Sequence, residues 1–252
     1  MHMHRIGILG RLVLVAASLT LVGCGSDTTL TVSAAASLRD VLPPLIGDAR
    51  LNVGGSGDLA TQLREGAPVD VVVLADSAIV TRLVADGIVD TPVSIATNRL
   101  AIIVPADNPA AIARPADLAR RGVRLVLANP SVPVGGYARV ALARLRLAGA
   151  LTNIVSNEDS VAGVVAKVRL GEADAGIVYV TDARAAAAAV RTIAIAADAQ
   201  PSIVYSAAVV SDTRHHADAT AIVESITEAD GQAALRAAGF GPPSARTPPA
   251  TG

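Results

Sequence analysis

Aromatic side chains are scarce in these 252 residues: there is no tryptophan, one phenylalanine and three tyrosines, 2% in all. Stacking on sugar rings or on bases therefore has too few platforms to drive binding. Cysteine occurs once, at Cys24, so no disulfide can form within the chain. Charge of one sign never gathers. The 21 basic and 22 acidic residues leave a formal net charge of −1, and no Lys/Arg cluster marks a nucleic-acid footprint. The apolar run at residues 12–22 falls short of the roughly 20 residues that a membrane-crossing helix requires.

What is present is apolar and aliphatic, 52% of the residues. That is enough to build one large domain or two lobes of about 100 residues each. The alanine richness is not low complexity, because helical and strand periodicity persists through it. At the N-terminus Arg5 and Arg11 precede the short apolar run, which reads as the core of a signal peptide over residues 1–23. Leu21-Val22-Gly23-Cys24 resembles the lipobox of bacterial lipoproteins and implies cleavage before Cys24 and a lipid on its sulfur. Residues 24–29 then form a polar, lipidated tether. The alternatives are a soluble secreted protein with an incidental cysteine and a protein tethered to the membrane by an uncleaved signal.

Two junctions carry the candidate chemistry. A β-branched run at residues 30–32 leads into Ser33-Ala34-Ala35-Ala36-Ser37-Leu38-Arg39-Asp40, after which Leu38, Val41 and Leu42 show helical spacing. Ser37 is expected to cap that helix, with Asp40 as a partial capping box. Val53-Gly54-Gly55-Ser56-Gly57-Asp58 repeats the arrangement, and its glycines let backbone approach a ligand closely. Each serine could simply cap its own helix. Two in one small α/β unit can instead converge on a tetrahedral anion, because helix N-termini offer free N–H groups and partial positive charge.

Further along, residues 69–75 and 99–104 read as buried strands, and residues 79–86 as a helix stopped at Gly87. Asn108-Pro109 and Arg114-Pro115 mark a loop expected to carry a crossover. A second α/β series follows, with a strand at residues 124–127 and a helix opening at Val134. A short strand at residues 153–156 comes next, then a helix at residues 161–170 closed by Gly171. Residues 175–180 form a strand with Tyr179 near its end, and the alanine-rich residues 184–190 form a helix. Strands alternating with helices argue for mostly parallel sheets, whose ligands sit beyond the carboxyl ends of the strands. Asp70 and Asp76 flank one strand and are candidates for a catalytic dyad, though such aspartates more often cap helices. Adjacent His215 and His216 point apart, which favours solvation over a metal site.

The motifs A-A-A-S-L at residues 34–38, G-A-P-V-D-V at 66–71, V-P-V-G-G-Y-A at 132–138 and G-E-A-D-A-G-I-V-Y at 171–179, in this order, resemble those of the molybdate-binding proteins of bacterial ABC importers. The resemblance spans the chain from Cys24 onward. It implies a type II periplasmic-binding-protein fold, α/β, with two mostly parallel-sheet lobes around a ligand cleft and two crossovers between them. Residues 30–105 plus 203–241 would form the first lobe and 106–202 the second, with 242–252 a disordered proline-rich tail. The resemblance also implies an oxyanion held by neutral donors: Ser37, Ser56, the backbone N–H groups of Val134 and Val161, and the phenol of Tyr179. No cofactor is expected and no metal ligands, since molybdenum would be bound as molybdate through its oxygens, and tungstate likewise. The implied partners are an ABC permease and its ATPase, with the receptor a lipid-anchored monomer on the outer face of the plasma membrane. Pro43 and Pro44 and a glycine-rich second junction depart from the family pattern.

The rival readings are a receptor for another oxyanion such as sulfate, and an α/β serine hydrolase using Ser37 or Ser56. A phosphate receptor would need an acceptor carboxylate in the site and an organic-acid receptor an arginine clamp. The hydrolase lacks a proper G-x-S-x-G elbow.

Overall fold

A computed structural model describes residues 29–244; the signal-peptide and Cys24 readings fall outside them. The first half runs β1 (Thr31–Ala35), β2 (Arg50–Gly54), α1 (Ser56–Arg64), β3 (Val71–Leu74), α2 (Ser77–Ala85), β4 (Val93–Asn98) and β5 (Leu100–Pro105). It continues through β6 (Leu125–Ala128), α3 (Pro133–Arg144), β7 (Ile154–Glu158), α4 (Val161–Arg169), β8 (Ala175–Tyr179), α5 (Val180–Ala185) and β9 (Val190–Ala194). The chain then closes with β10 (Ile203–Val209), α6 (His216–Thr227) and α7 (Ala229–Ala237).

These strands form two five-stranded sheets of the same topology, β2-β1-β3-β10-β4 and β7-β6-β8-β5-β9. In each sheet the first three strands pair in parallel and the fourth is reversed against both of its neighbours. Each sheet is therefore mixed in its pairing, with four strands running in one direction and one against them. The reversed strand is in both cases the one that has just crossed from the other lobe. Chain leaving β4 enters the second sheet as β5, and chain leaving β9 returns to the first sheet as β10.

This placement corrects the expected lobe boundary. Residues 100–105 belong to the second sheet, with Leu100 opposite Tyr179 and Ile103 opposite Thr192. The crossover is at Arg99, not in the Asn108 to Pro115 loop, which stays within the second lobe. An apolar run buried on both faces is compatible with either sheet, so its own residues do not say which. Gln200 ties the two crossovers together: its Oε1 accepts from Leu100 N at 2.8 Å and its Nε2 donates to Leu100 O at 2.9 Å.

The central strands β3, β5 and β8 are buried along their whole length, whereas the edge strands β2 and β7 alternate, as single-sided burial requires. One core runs through both lobes past Leu100, Tyr179, Tyr205 and Phe240. A second fills the space between the first sheet and α1 and α2, with Leu59, Leu63, Val72, Leu74, Val80 and Leu83. Each such side chain contributes about 1.5–3 kcal/mol through burial. The expected tail is partly fixed: Thr97 Oγ1 donates to Pro242 O at 2.9 Å and Ser244 N to Ser94 Oγ at 3.1 Å. Residues 242–244 thus lie along β4, and residues 245–252 are outside the described part.

Candidate functional site

Because β1, β2 and β3 run in parallel, they end at one edge of the first sheet, at Ala35, Gly54 and Leu74. β6, β7 and β8 do the same in the second sheet, at Ala128, Glu158 and Tyr179. The two edges enclose a cavity of about 60 Å³ lined from one side by Ala35 to Ser37, Gly54 to Ser56 and Ala75, and from the other by Val132 to Val134, Asp159 to Val161 and Tyr179. All five residues expected to hold the oxyanion line it. Its volume is four to six times the roughly 10–15 Å³ that one water needs. That suits an ion of five heavy atoms and is far below the roughly 300 Å³ where pockets for organic ligands begin.

Each donor is delivered by a local feature of the chain. Ser37 does not cap an α-helix as expected. It lies inside a 3₁₀ turn, Ala36–Leu38, whose capping position is Ala35, with no side-chain cap. Pro43 and Pro44 open a second short 3₁₀ turn, so the helical spacing of Leu38, Val41 and Leu42 never propagates. Ser56 is the first residue of α1, with Gly55 at the cap, and it is 2% exposed. Its Oγ accepts from Ala75 N at 3.0 Å. Val134 is the second residue of α3, after Pro133, a position where proline sacrifices no helical hydrogen bond. Val161 opens α4, capped by Ser160, whose Oγ accepts from Gly163 N at 3.2 Å. Backbone N–H groups in these first turns lack intrahelical acceptors, and the aligned peptide dipoles make the helix starts electropositive.

Tyr179 ends β8 and caps α5, 5% exposed. Burial, reinforced by Tyr205, pushes its phenol well above the ordinary value, so it is a hydrogen-bond donor at any physiological pH. The helix after it starts at Val180, not at Arg184 as the alanine run suggests; Arg184 and Ala185 are its last residues.

Among the described residues no lysine or arginine lines the cavity, and the one carboxylate there is Asp159, exposed and accepting from Asn129 Nδ2. Sequence reading missed Asp159 and also the shell behind Ser37, where Tyr205 Oη lies 2.8 Å from Ser37 Oγ and Asn98 Nδ2 donates to Tyr205 Oη at 3.3 Å. The available signal was a polar residue closing or interrupting an apolar strand: Asn98 at the end of β4, Tyr205 within β10.

Other candidates fall away from this edge. Asp76 caps α2, accepting from Ala78 N at 2.8 Å and Ile79 N at 3.1 Å. Asp70 sits at the opposite end of β3 and holds Thr31 N at 2.8 Å. Six residue steps of extended chain lead from one aspartate to the other, roughly 20 Å at 3.3 Å per step, so they form no dyad. His216 Nε2 pairs with Asp90 at 2.8 Å, and no cluster of metal-ligating side chains exists among the described residues. A larger cavity of about 580 Å³ lies at the far end of the first sheet, where Arg50, Arg64 and Arg214 mix with Asp70 and Asp212. It offers no uniform field of donors.

The sequence model of the family described as bacterial extracellular solute-binding protein matches residues 30–241. The molybdate-binding protein of Mycobacterium tuberculosis (strain H37Rv) is 36% identical over 247 residues, spanning 88% of this chain and 93% of the relative. Among solved structures, the periplasmic molybdate-binding protein of Azotobacter vinelandii superposes with a TM-score of 0.76 at 24% identity, covering 85% of this chain and 100% of that one. The sulfate-binding protein of Mycobacterium tuberculosis gives 0.75 at 21% identity, covering 85% and 87%. The shared architecture is thus common to receptors of two tetrahedral dianions, and fold alone does not select between them.

Proposed function

Because the chain belongs to the bacterial extracellular solute-binding proteins, we propose that it is a molybdate receptor of an ABC importer, holding the ion at Ser37, Ser56, Val134, Val161 and Tyr179. The observation that carries this reading is the convergence of these neutral donors from both lobes on one cavity of about 60 Å³. A dehydrated dianion must exchange its hydration shell for many hydrogen bonds, and neutral donors at helix starts supply them without a counter-charge. The smaller sulfate would leave some donors unpaired, which costs affinity. Tungstate has the same shape and charge and is expected to bind alike.

Both lobes contribute donors, so only their closed arrangement satisfies all four oxygens, and the ligand favours closure by that difference. Delivery to a permease and its ATPase is part of the same proposal. The receptor is expected to work as a monomer held to the outer face of the plasma membrane by a lipid on Cys24. Among the described residues no helix is long and apolar enough to cross a membrane. Catalysis is not part of this reading: Ser56 Oγ faces a backbone N–H and Ser37 Oγ a tyrosine, so neither hydroxyl has a general base.

Calorimetric titration of the chain from Ser26 tests the reading, with molybdate, tungstate, sulfate and phosphate in turn. One-to-one binding of molybdate and tungstate, with sulfate much weaker, is expected. Preferential sulfate binding would change the nutrient and keep the site. Ser37→Ala and Ser56→Ala are each expected to weaken molybdate binding by about 1–3 kcal/mol, the scale of a hydrogen bond to a charged group. Tyr179→Phe should cost a similar amount, and an unaltered ligand-induced thermal shift in that variant would remove Tyr179 from the site.

A further inference from the structure

A serine hydroxyl can donate or accept, so a serine in an oxyanion site selects for fully deprotonated ions only if its hydrogen is forced toward the ligand. The hydrogen-bond shell behind Ser37 does this, and its direction can be fixed from a single obligate donor. Arg99 N lies 2.8 Å from the side-chain oxygen of Asn98. A backbone N–H can only donate, so that atom of Asn98 is the oxygen and the other is the amide nitrogen. The amide nitrogen has two hydrogens and two neighbours, Thr181 Oγ1 at 3.0 Å and Tyr205 Oη at 3.3 Å. Tyr205 Oη therefore accepts from Asn98, and its own hydrogen goes to its other neighbour, Ser37 Oγ, at 2.8 Å. Ser37 Oγ is thereby occupied as an acceptor on the protein side. Tyr205 is fully buried, and that burial pushes its phenol above the ordinary value, so the hydrogen it donates is present at every physiological pH.

The geometry points to Tyr205 and Asn98 as positioning residues that set the polarity of the site: they turn the Ser37 hydroxyl into an outward donor and so exclude oxyanions that carry a proton. Ser56 is fixed in the same sense by a different donor, since its Oγ accepts from Ala75 N at 3.0 Å. Both serines then present hydrogens to the ion, and each has a lone pair already engaged on the protein side. Hydrogen phosphate, which must place an O–H somewhere, meets only hydrogens at the two serines, and the one carboxylate on the cavity wall, Asp159, is exposed and already accepts from Asn129, whereas molybdate needs no acceptor. Asn98 is the last residue before the first crossover and Thr181 lies in α5 of the second lobe. The same network therefore spans the join between the lobes.

This inference rests on the oxyanion-receptor reading above, and the experiment separates the two. Calorimetry on the unaltered protein, Tyr205→Phe, Ser37→Ala and the double variant would use molybdate and phosphate at one pH. Phenylalanine keeps the edge-on ring contacts with Tyr179 and Phe240, at 6.5 Å and 5.1 Å between centroids, and removes only the hydroxyl. Tyr205→Phe is expected to lower molybdate affinity about tenfold and to narrow the preference over phosphate, because the freed Ser37 hydroxyl can now accept. In the Ser37→Ala background the same change should cost almost nothing, since its target is gone. Equal losses with and without Ser37, or an unchanged preference over phosphate, would overturn the relay while leaving the receptor reading intact. No binding of any oxyanion by the unaltered protein would overturn both.

Discussion

Replacing Gly135 by alanine is expected to abolish oxyanion binding and to lower the melting temperature by roughly 6–12 °C. Gly135 follows Val134 in the first turn of α3, where the helix start presses on the exit of β6. A Cβ built there would lie 2.1 Å from Asn129 O and 2.4 Å from Ala128 O, both backbone atoms. Neither side of that contact can yield freely. Arg139 reaches back from the same helix, its Nη1 donating to Ala128 O at 2.9 Å and to Gly135 O at 2.8 Å, and its Nη2 donating to Asn157 Oδ1. The methyl must therefore push α3 away from β6 and loosen this clamp, at the upper end of the roughly 1–3 kcal/mol typical of overpacking. The Val134 N–H moves with the helix, and a displaced donor cannot reach an ion fixed by the other lobe. Gly136→Ala is the control, since its Cβ would meet only Pro130 O at an ordinary 3.5 Å and alanine favours a helix by about 1 kcal/mol over glycine. Scanning calorimetry and titration of both variants decide the matter: normal binding by Gly135→Ala would show that α3 can shift without cost.

The contrast between these adjacent glycines also marks what the sequence can reveal. The junctions at Ser56, Val134 and Val161 are legible because each is written locally, in glycine, proline or a capping serine followed by helical spacing. Ser37 is legible as a junction but not as a geometry, since the prolines at 43 and 44 replace an α-helix by 3₁₀ turns. Val134 and Val161 carry no side-chain chemistry, so family resemblance alone singles them out. The short helix after Tyr179 was misplaced toward Arg184–Val190 because alanine propensity is a weak prior. β9 already begins at Val190, so the helix must start and end earlier. Least legible of all are β5 and the Tyr205–Asn98 pair. A fully apolar strand fits either sheet, and hydrogen bonds joining residues 168 and 107 positions apart leave no periodic trace.

Asp182 should make the protein less stable as pH rises from about 4 to about 7, and Asp182→Asn should remove that slope. The residue is only half-buried, but its Oδ2 is shut off from solvent and has no hydrogen-bond partner. Burial pushes its carboxyl up to about 7, against the pull of the backbone N–H groups of Asp182 and Tyr179. Between the ordinary carboxylate value and about 7 the folded protein keeps a proton that the unfolded chain has released. Stability therefore falls through that window and levels off above it. The full effect is on the order of 4 kcal/mol at most. Other carboxylates act in the opposite sense; that of Asp174, though buried, is held below its usual range by Arg124. The informative quantity is thus the difference between the two proteins. Asp182→Asn should melt higher than the unaltered chain at pH 8, with the gap closing toward pH 4, and a gap independent of pH would show that Asp182 ionises normally. Asp182 follows Tyr179 by three residues and its charge is felt at that phenol, so a bound dianion adds like-charge repulsion to its ionised form. Molybdate affinity is accordingly expected to rise from pH 8 to pH 6 in the unaltered protein and to stay level in Asp182→Asn, a comparison that two titrations of each protein complete.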